Sequence, residues 1–302
     1  MVDYSNGGVK VFNKKNRKEL IITIFLVILS AIVVVPILLL IGTSLSKESD
    51  IAKYGYAIIP KNLDLSAYKY VLRNPKQILD AYKVTTIFSV TTMVLAVTLM
   101  SMVAYALSRS EFEGKRFVAL YFYFTTLFGG GLVPTYILIT QYLHLQDTIW
   151  VYILPSLIVP TYIFMIRANF QALPKELIES ALMDGAGEYR IFFRIIVPLS
   201  TPVIATVALF IFLGKWGDWM TPMLYINNRE DLISLQYFLQ RILQNIQLMQ
   251  SEGAMVHMMN YEIPAETTRM ALAVLVAGPV LVVFPFFQKY FTKGMTVGSV
   301  KG

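Results

Sequence analysis

Cysteine is absent from the 302 residues, and histidine occurs only as His144 and His257. The first absence excludes a disulfide framework, a thiolate metal site and a cysteine nucleophile. The second leaves neither a metal-ligand spacing nor a histidine base beside a nucleophile. The phosphate-binding pattern G-x-x-x-x-G-K-[ST] is also missing. Its nearest fragments, Gly114-Lys115-Arg116 and Gly214-Lys215-Trp216, lack the hydroxyl residue and the upstream glycine, so ATP hydrolysis by this chain is not expected. Charge is scarce: charged residues make up 15% of the chain, hydrophobic residues 56%, and the mean hydropathy is +0.59. Soluble domains carry about a quarter charged residues. The composition therefore points to a polytopic, all-α membrane protein. The net charge of +7 gathers at the ends of apolar blocks, where lipid headgroups rather than nucleic acid are the expected partner.

Leu20 to Gly42 is a block of 23 residues without a charge. At about 1.5 Å per residue it spans a hydrocarbon core of about 30 Å. It follows Lys10, Lys14, Lys15, Arg17 and Lys18, as a secretory signal would. Its length exceeds the roughly 7 to 15 residues of a signal's apolar region, so an uncleaved span is expected. Five further blocks follow: Thr85 to Leu107, Phe117 to Thr140, Ile149 to Ile166, Thr201 to Leu224 and Met270 to Phe287. Six spans put both termini on one side. That side carries 15 Lys and Arg against 9 on the other, which predicts cytoplasmic termini. The expected organisation is a cytoplasmic tail over residues 1–19, a membrane domain over 20–290, and a second cytoplasmic tail over 291–302.

The spans are uneven. Gly129, Gly130, Gly131 and Pro134 interrupt the third, and Pro155 and Pro160 the fourth, so both are predicted to be kinked or partly unwound. Such breaks are tolerated where protein or a cavity satisfies the freed backbone groups. Lys215 and Asp218 lie three residues apart near the outer end of the fifth, close enough to pair. They are either part of a substrate path or an interfacial pair closing the helix end beside Trp216 and Trp219. Tyr121, Tyr123, Tyr136 and Tyr225 share that ambiguity, because aromatics bind sugar faces and also gather at membrane interfaces. The outer loop from Thr221 to Thr268 has helical periodicity at Leu235, Phe238, Leu239, Ile242 and Ile246. Its methionines Met255, Met258 and Met259 are expected to serve adaptable packing.

Between spans four and five, Leu173 to Pro202 reads LPKELIESALMDGAGEYRIFFRIIVPLSTP and is not membrane-like. Pro174 suits a first helical turn. Leu177, Ile178, Ala181 and Leu182 predict one apolar face, and Gly185 a left-handed stop. Tyr189, Phe192, Phe193 and Ile196 predict a second short apolar face, before Pro198 and Pro202 restart the chain as span five. The result is a bent helical elbow presented to the cytoplasm. Its small residues, Ser180, Ala181, Gly185 and Ala186, allow close approach of a partner.

Glu179-Ser180-Ala181, Asp184-Gly185-Ala186, Ile195 and Pro198-Leu199 resemble the EAA loop of ABC importer permeases. Ser180 replaces the first alanine of the pattern, and Val197 the leucine before the proline. Gly129 to Thr135, Asp147 to Trp150, Lys215 to Tyr225 and the ending Gln288 to Phe291 with Gly294 and Gly298 to Gly302 are similar to the carbohydrate permeases. These include the maltose transporter's G subunit and the YtcP/LplC-type oligosaccharide branch. The resemblance covers residues 20–302 and implies a type I ABC importer permease fold with a cytoplasmic coupling helix. It implies a second homologous permease, two ATPase subunits that bind ATP and magnesium, and an extracytoplasmic lipoprotein delivering an oligosaccharide. No cofactor is expected on this chain itself. The ATPase contact would fall on Glu179, Ser180, Ala181, Asp184, Gly185, Ala186, Arg190 and Pro198, and the C-terminal tail could reach the same partner. Tyr136, Lys215, Trp216, Asp218, Trp219 and Tyr225 are the candidate pathway residues. The competing readings are a permease for a non-sugar solute and a stand-alone secondary transporter, although no internal repeat is visible for the latter.

Overall fold

A computed structural model of the chain describes residues 14–251 and 264–298. His257, the Met255, Met258 and Met259 cluster and the terminal Ser299 to Gly302 lie outside the described residues. The described residues are helical or irregular apart from one isolated bridge, Ser46 to Leu63, and they divide into two compact units.

One unit comprises residues 1–71 and 262–274. Helix α1 (Lys14–Ser44) starts within the expected N-terminal tail and carries the first apolar block. From residue 19 to residue 38 its side chains are exposed all round, Phe25 and Ile32 each at 63%, as suits a helix facing lipid or another chain. A Cβ on Gly42 would lie 2.0 Å from the Ile58 carbonyl oxygen, so the neighbouring irregular segment passes only because glycine stands there. Helices α2 (Glu48–Tyr54) and α3 (Ser66–Val71) follow. Glu48 accepts the N–H groups of Glu266 and Thr267, both at 2.9 Å, and the Thr267 hydroxyl at 2.7 Å. A carboxylate there satisfies the orphan donors of the last helix's first turn and complements its dipole.

The other unit, residues 72–261 and 275–302, is built around α4 (Pro75–Ser108), which begins with proline at its first position, where no N–H is needed. The third span is broken as expected. Helix α5 (Lys115–Leu127) and α6 (Leu132–Ile137), which continues as a π-helix over Leu138–Tyr142, meet at 115°. Gly131 at φ +85° supplies the left-handed residue at the corner. The fourth breaks less sharply: α7 (Trp150–Ile153) with the 3-10 turn Leu154–Ser156 meets α8 (Pro160–Gln171) at 48°. At that break the Val159 N–H finds the Met100 sulfur of α4 at 3.3 Å, one freed donor satisfied by protein as an apolar surrounding requires.

Next come the elbow helices α9 (Glu176–Met183), α10 (Glu188–Ile191), the π-helix Phe192–Ile196 and α11 (Val197–Leu199). Helix α12 (Thr201–Trp216) ends eight residues before the expected end of span five, because Gly217 and Asp218 stop it, and α13 (Met220–Tyr225) resumes. The outer loop holds α14 (Leu235–Ser251), with Leu235, Leu239 and Ile246 buried. Ser234 caps it through the Tyr237 N–H at 3.2 Å. The last helix, α15 (Ala265–Gly298), runs on into the expected C-terminal tail. Its Pro279 removes the donor that would have paired with Leu275, and the Tyr82 hydroxyl donates to that carbonyl instead.

Among the described residues, three helical stretches are long and apolar enough to cross a membrane: Glu19–Ser44, Pro75–Ser108 and Ala265–Gln288. Counting each bent pair as one span brings the total to six, in agreement with the sequence. The core centres on α4. Ala96, Met100, Ala104 and Tyr105 pack with Ile163, Ile166 and Phe170 of α8, Ile191, Phe192 and Ile196 of the elbow, and Val207 and Ile211 of α12. A second cluster holds Phe88 stacked on Tyr152, ring centroids 4.2 Å apart, and the Tyr152 hydroxyl donates to the Leu232 carbonyl at 2.7 Å. Phe88 is fully buried, so Phe88→Ala should cost about 3 to 5 kcal/mol through lost contacts and a cavity. The measurement is thermal unfolding in detergent, where the midpoint should fall well below that of the parent and Phe88→Leu should fall between.

Candidate functional site

The elbow is ordered by its own chemistry. Glu176 and Glu179 occupy the first turn of α9, where negative charge is favourable. The preceding Pro174 stands just outside the helix, whose N-cap is Lys175. At the other end the Gly185 N–H donates to the Leu182 carbonyl and the Ala186 N–H to the Ala181 carbonyl, each at 3.0 Å. With Gly185 at φ +74° this is a Schellman stop. Pro198 lacks the N–H that an α-helix would pair with residue 194, and the turns before it widen into the π-helix Phe192–Ile196. The segment Glu188–Leu199 then meets α12 at 81°. The Thr201 hydroxyl accompanies that corner, donating to the Pro198 carbonyl at 2.7 Å.

The apolar faces differ from those expected. On α9, Ala181 is buried and Ile178 packs on the core, whereas Leu177 and Leu182 are exposed at 43% and 42%. In the second leg Ile191, Phe192 and Ile196 are buried, and Tyr189 and Phe193 are exposed at 74% and 54%. The π-helix rephases the side chains, so a face counted at 3.6 residues per turn drifts off the true one. Glu179, Ser180, Asp184, Gly185, Arg190 and Pro198 are exposed and Ala186 is half-buried. A Cβ on Gly185 would meet no atom within 4 Å. The elbow thus keys one face into the α4 core and leaves another, with Leu177, Leu182 and Met183, open.

A polar cluster sits beside it. The Tyr105 hydroxyl donates to Glu188, and Arg109 pairs with Glu188 at 3.1 Å and with Glu111 at 3.5 Å. These residues carried no distinguishing signal in the sequence, because Glu188 and Arg109 are 79 positions apart.

At the outer end, Lys215 Nζ lies 3.1 Å from Asp218 Oδ2, both side chains largely buried. Asp218 also accepts the Thr221 N–H at 3.0 Å and hydroxyl at 2.8 Å. The pair therefore closes α12 and opens α13. Trp216 is buried, stacks on Phe212 and donates from its indole N–H to the Val276 carbonyl at 3.1 Å. Tyr225 is buried and stacks on the half-buried Tyr136, centroids 5.6 Å apart. Trp219 is exposed at 40%, as are Tyr121 and Tyr123 of α5 at 60% and 53%. Of the candidate pathway residues, Trp219 is exposed and Tyr136 half-buried with one face stacked on Tyr225, whereas Trp216 and Tyr225 are buried in packing and Lys215 and Asp218 pair with each other.

Asp147, at φ +55°, clamps the outer loop. Its carboxylate accepts the N–H groups of Asn227 at 2.7 Å and Asn228 at 3.0 Å, and the Asn228 side-chain amide at 3.0 Å. Its own N–H donates to the Tyr225 carbonyl at 3.0 Å. These donors, led by the Asn228 N–H, hold its carboxyl below the ordinary aspartate value.

A bent six-span permease with a jointed elbow between its fourth and fifth spans is the architecture of ABC importers. The family model described as "Binding-protein-dependent transport system inner membrane component" matches residues 112–297, and the chain belongs to that family. It is 38% identical to "Protein LplC" of Bacillus subtilis (strain 168), over 92% of this chain and 93% of that protein. It is 36% identical to "Polygalacturonan/rhamnogalacturonan transport system permease protein YtcP" of the same organism, over 95% of this chain and 100% of that one. Among solved structures it is similar to a chain of a bacterial ABC transporter involved in the import of the acidic polysaccharide alginate. That match has a TM-score of 0.77 and 26% identity, covering 94% of this chain and all of the other.

The Asp147 clamp yields a pH signature. A carboxylate held below its ordinary value stabilises the loop fully above about pH 4 and loses that contribution as the pH falls through the lowered value. Asp147→Ala should raise trypsin cleavage after the exposed Arg229 by at least about tenfold at neutral pH, the factor for one lost hydrogen bond to a charged group. Asp147→Asn, which keeps one acceptor, should fall between. The check is the rate of appearance of the cleaved fragment.

Proposed function

We propose that this permease is one of two homologous membrane subunits of an ATP-driven importer for oligosaccharides, working with two cytoplasmic ATPase subunits and an extracytoplasmic binding lipoprotein. Magnesium and ATP belong to the ATPase subunits. The observation that carries the reading is the elbow: a helix ended by a Schellman turn, one face keyed into the α4 core and the other bare. Such an element can receive a push from a soluble partner and pass it to the spans. Glu179, Ser180, Asp184, Gly185, Ala186, Arg190 and Pro198 form the ATPase contact, the buried Ala181 shaping it from behind. The elbow and both termini face the cytoplasm of a bacterial cell, as the Lys and Arg distribution supports.

The cargo reading is supported by relatives described as carrying polygalacturonan or rhamnogalacturonan and alginate, all complex glycans. Within this chain the exposed Trp219 and the Tyr136 face are the surfaces suited to stack on sugar rings. The buried and paired Lys215 and Asp218 serve the helix junction.

The test is purification of the tagged chain from its native membrane with Gly185→Trp and Glu179→Arg as variants. A second permease and an ATPase should accompany the parent. Each substitution should lower ATPase recovery by at least about tenfold, as for a residue central to an interface. Because open space surrounds the Gly185 position within the chain, Gly185→Ala adds about 1 to 2 kcal/mol of backbone strain without the bulk, and should retain more ATPase than Gly185→Trp. A chain that purifies alone, or variants that retain the ATPase fully, would contradict the reading.

A further inference from the structure

The second leg of the elbow is jointed at both ends. The Schellman turn at Gly185 lies before Glu188, and the 81° corner at Ser200 follows Leu199. Between these joints the leg touches α4 in two ways. Ile191, Phe192 and Ile196 bury against Ala96, Met100, Ala104 and Tyr105, but apolar contact is non-directional and tolerates rotation. A cavity of about 450 Å³, lined by Met102, Ala106, Phe112, Tyr189 and Phe192 among others, lies between the leg and the end of α4. Packing therefore leaves the leg room to turn.

Glu188 supplies the direction that packing lacks. Its two carboxylate oxygens take separate donors from α4 and the residue that follows it: the Tyr105 hydroxyl on one, Arg109 on the other at 3.1 Å. Hydrogen bonds to an ionised acceptor are the strong, geometry-specific kind. Arg109 is itself held, with its side chain only 13% exposed and a second carboxylate, Glu111, at 3.5 Å. Lys115 ties the turn down by donating to the Arg109 and Ser110 carbonyls at 3.3 and 3.1 Å. Tyr105 is buried and wedged against Phe170 and Phe192. The donors are held by these contacts, and the acceptor rides on the jointed leg.

We infer that Glu188, latched by Tyr105 and Arg109, is a positioning residue that makes α4 turn with the elbow, so that movement imposed on the elbow reaches the far end of that span. This inference rests on the importer reading above. Without the latch the leg swings into the adjoining cavity, and ATP is hydrolysed with little response in α4.

The chain has no cysteine, so a single Lys83→Cys substitution, read on this chain's own band after gel separation from its partners, reports on α4 alone. Lys83 is exposed and lies about 33 Å along the helix from Tyr105. In importer purified with its partner subunits in lipid nanodiscs, the reporter's labelling rate with a fluorescent maleimide is measured with and without ATP, magnesium and vanadate. ATP hydrolysis is followed on the same samples. The parent should show a nucleotide-dependent change in labelling. Glu188→Gln and Tyr105→Phe should each shrink that change by about tenfold, the worth of one charge-assisted hydrogen bond, while hydrolysis continues. Glu111→Gln, which touches Arg109 but not the elbow, should leave the change within about twofold. The latch is overturned if Glu188→Gln responds like the parent, if Glu111→Gln loses the response equally, or if hydrolysis and response fall together. A parent without hydrolysis or any nucleotide response would instead overturn the importer reading.

Discussion

Everything in the larger unit leans on α4 being packed tightly by neighbours that are themselves broken. In an apolar surrounding, helices gain little from hiding apolar surface from one another. They associate through close contact and through satisfied polar groups. Ala96 and Ala104 have no exposed surface, which lets α8, α12 and the elbow approach the same stretch of α4. Each break in a neighbouring helix then needs a partner for its freed backbone groups. The Met100 sulfur takes the Val159 N–H at the kink in span four, and Tyr82 on the same helix serves the carbonyl that Pro279 strands. One continuous helix thereby serves both the kink in span four and the proline in the last helix.

That arrangement separates two kinds of chemistry along the chain. At one end the elbow offers a bare surface built from short helices and small residues, with its inner face locked into the core. At the other, Asp147 holds the outer loop by backbone N–H groups, and Lys215 with Asp218 joins α12 to α13. Bends at glycine and proline between the two ends give a path by which a shift of the elbow alters span geometry without unfolding a helix.

Much of this was legible in the sequence because it is decided locally. Six apolar blocks, the breaks at Gly129 to Gly131 and at Pro155 and Pro160, and the left-handed stop at Gly185 follow from steric rules that involve only neighbouring residues. The Lys215–Asp218 pair is equally local, three positions apart on one helix. What escaped was set by distant contact or by irregular helical pitch. Tyr189 and Phe193 read as part of the elbow's buried face, yet both are exposed, Tyr189 in the α-helical turn before the π-helix and Phe193 within it. Trp216 and Tyr225 read as either pathway or interfacial aromatics, and their stacking on Phe212 and Tyr136 could not be read from the sequence. The Asp147 clamp joins residues 80 and 81 positions apart, and no periodicity reports such a contact.

The claim on which the account turns is that the elbow's outer face, and not its inner one, meets the ATPase. Met183 is 88% exposed and Ala181 on the opposite face 8%. With no native cysteine in the chain, Met183→Cys and Ala181→Cys can each be treated in native membranes with a thiol-to-amine cross-linker. The account predicts a covalent product with a cytoplasmic ATPase subunit from Met183→Cys and none from Ala181→Cys. No ATPase product from Met183→Cys, or equal products from both positions, would contradict it.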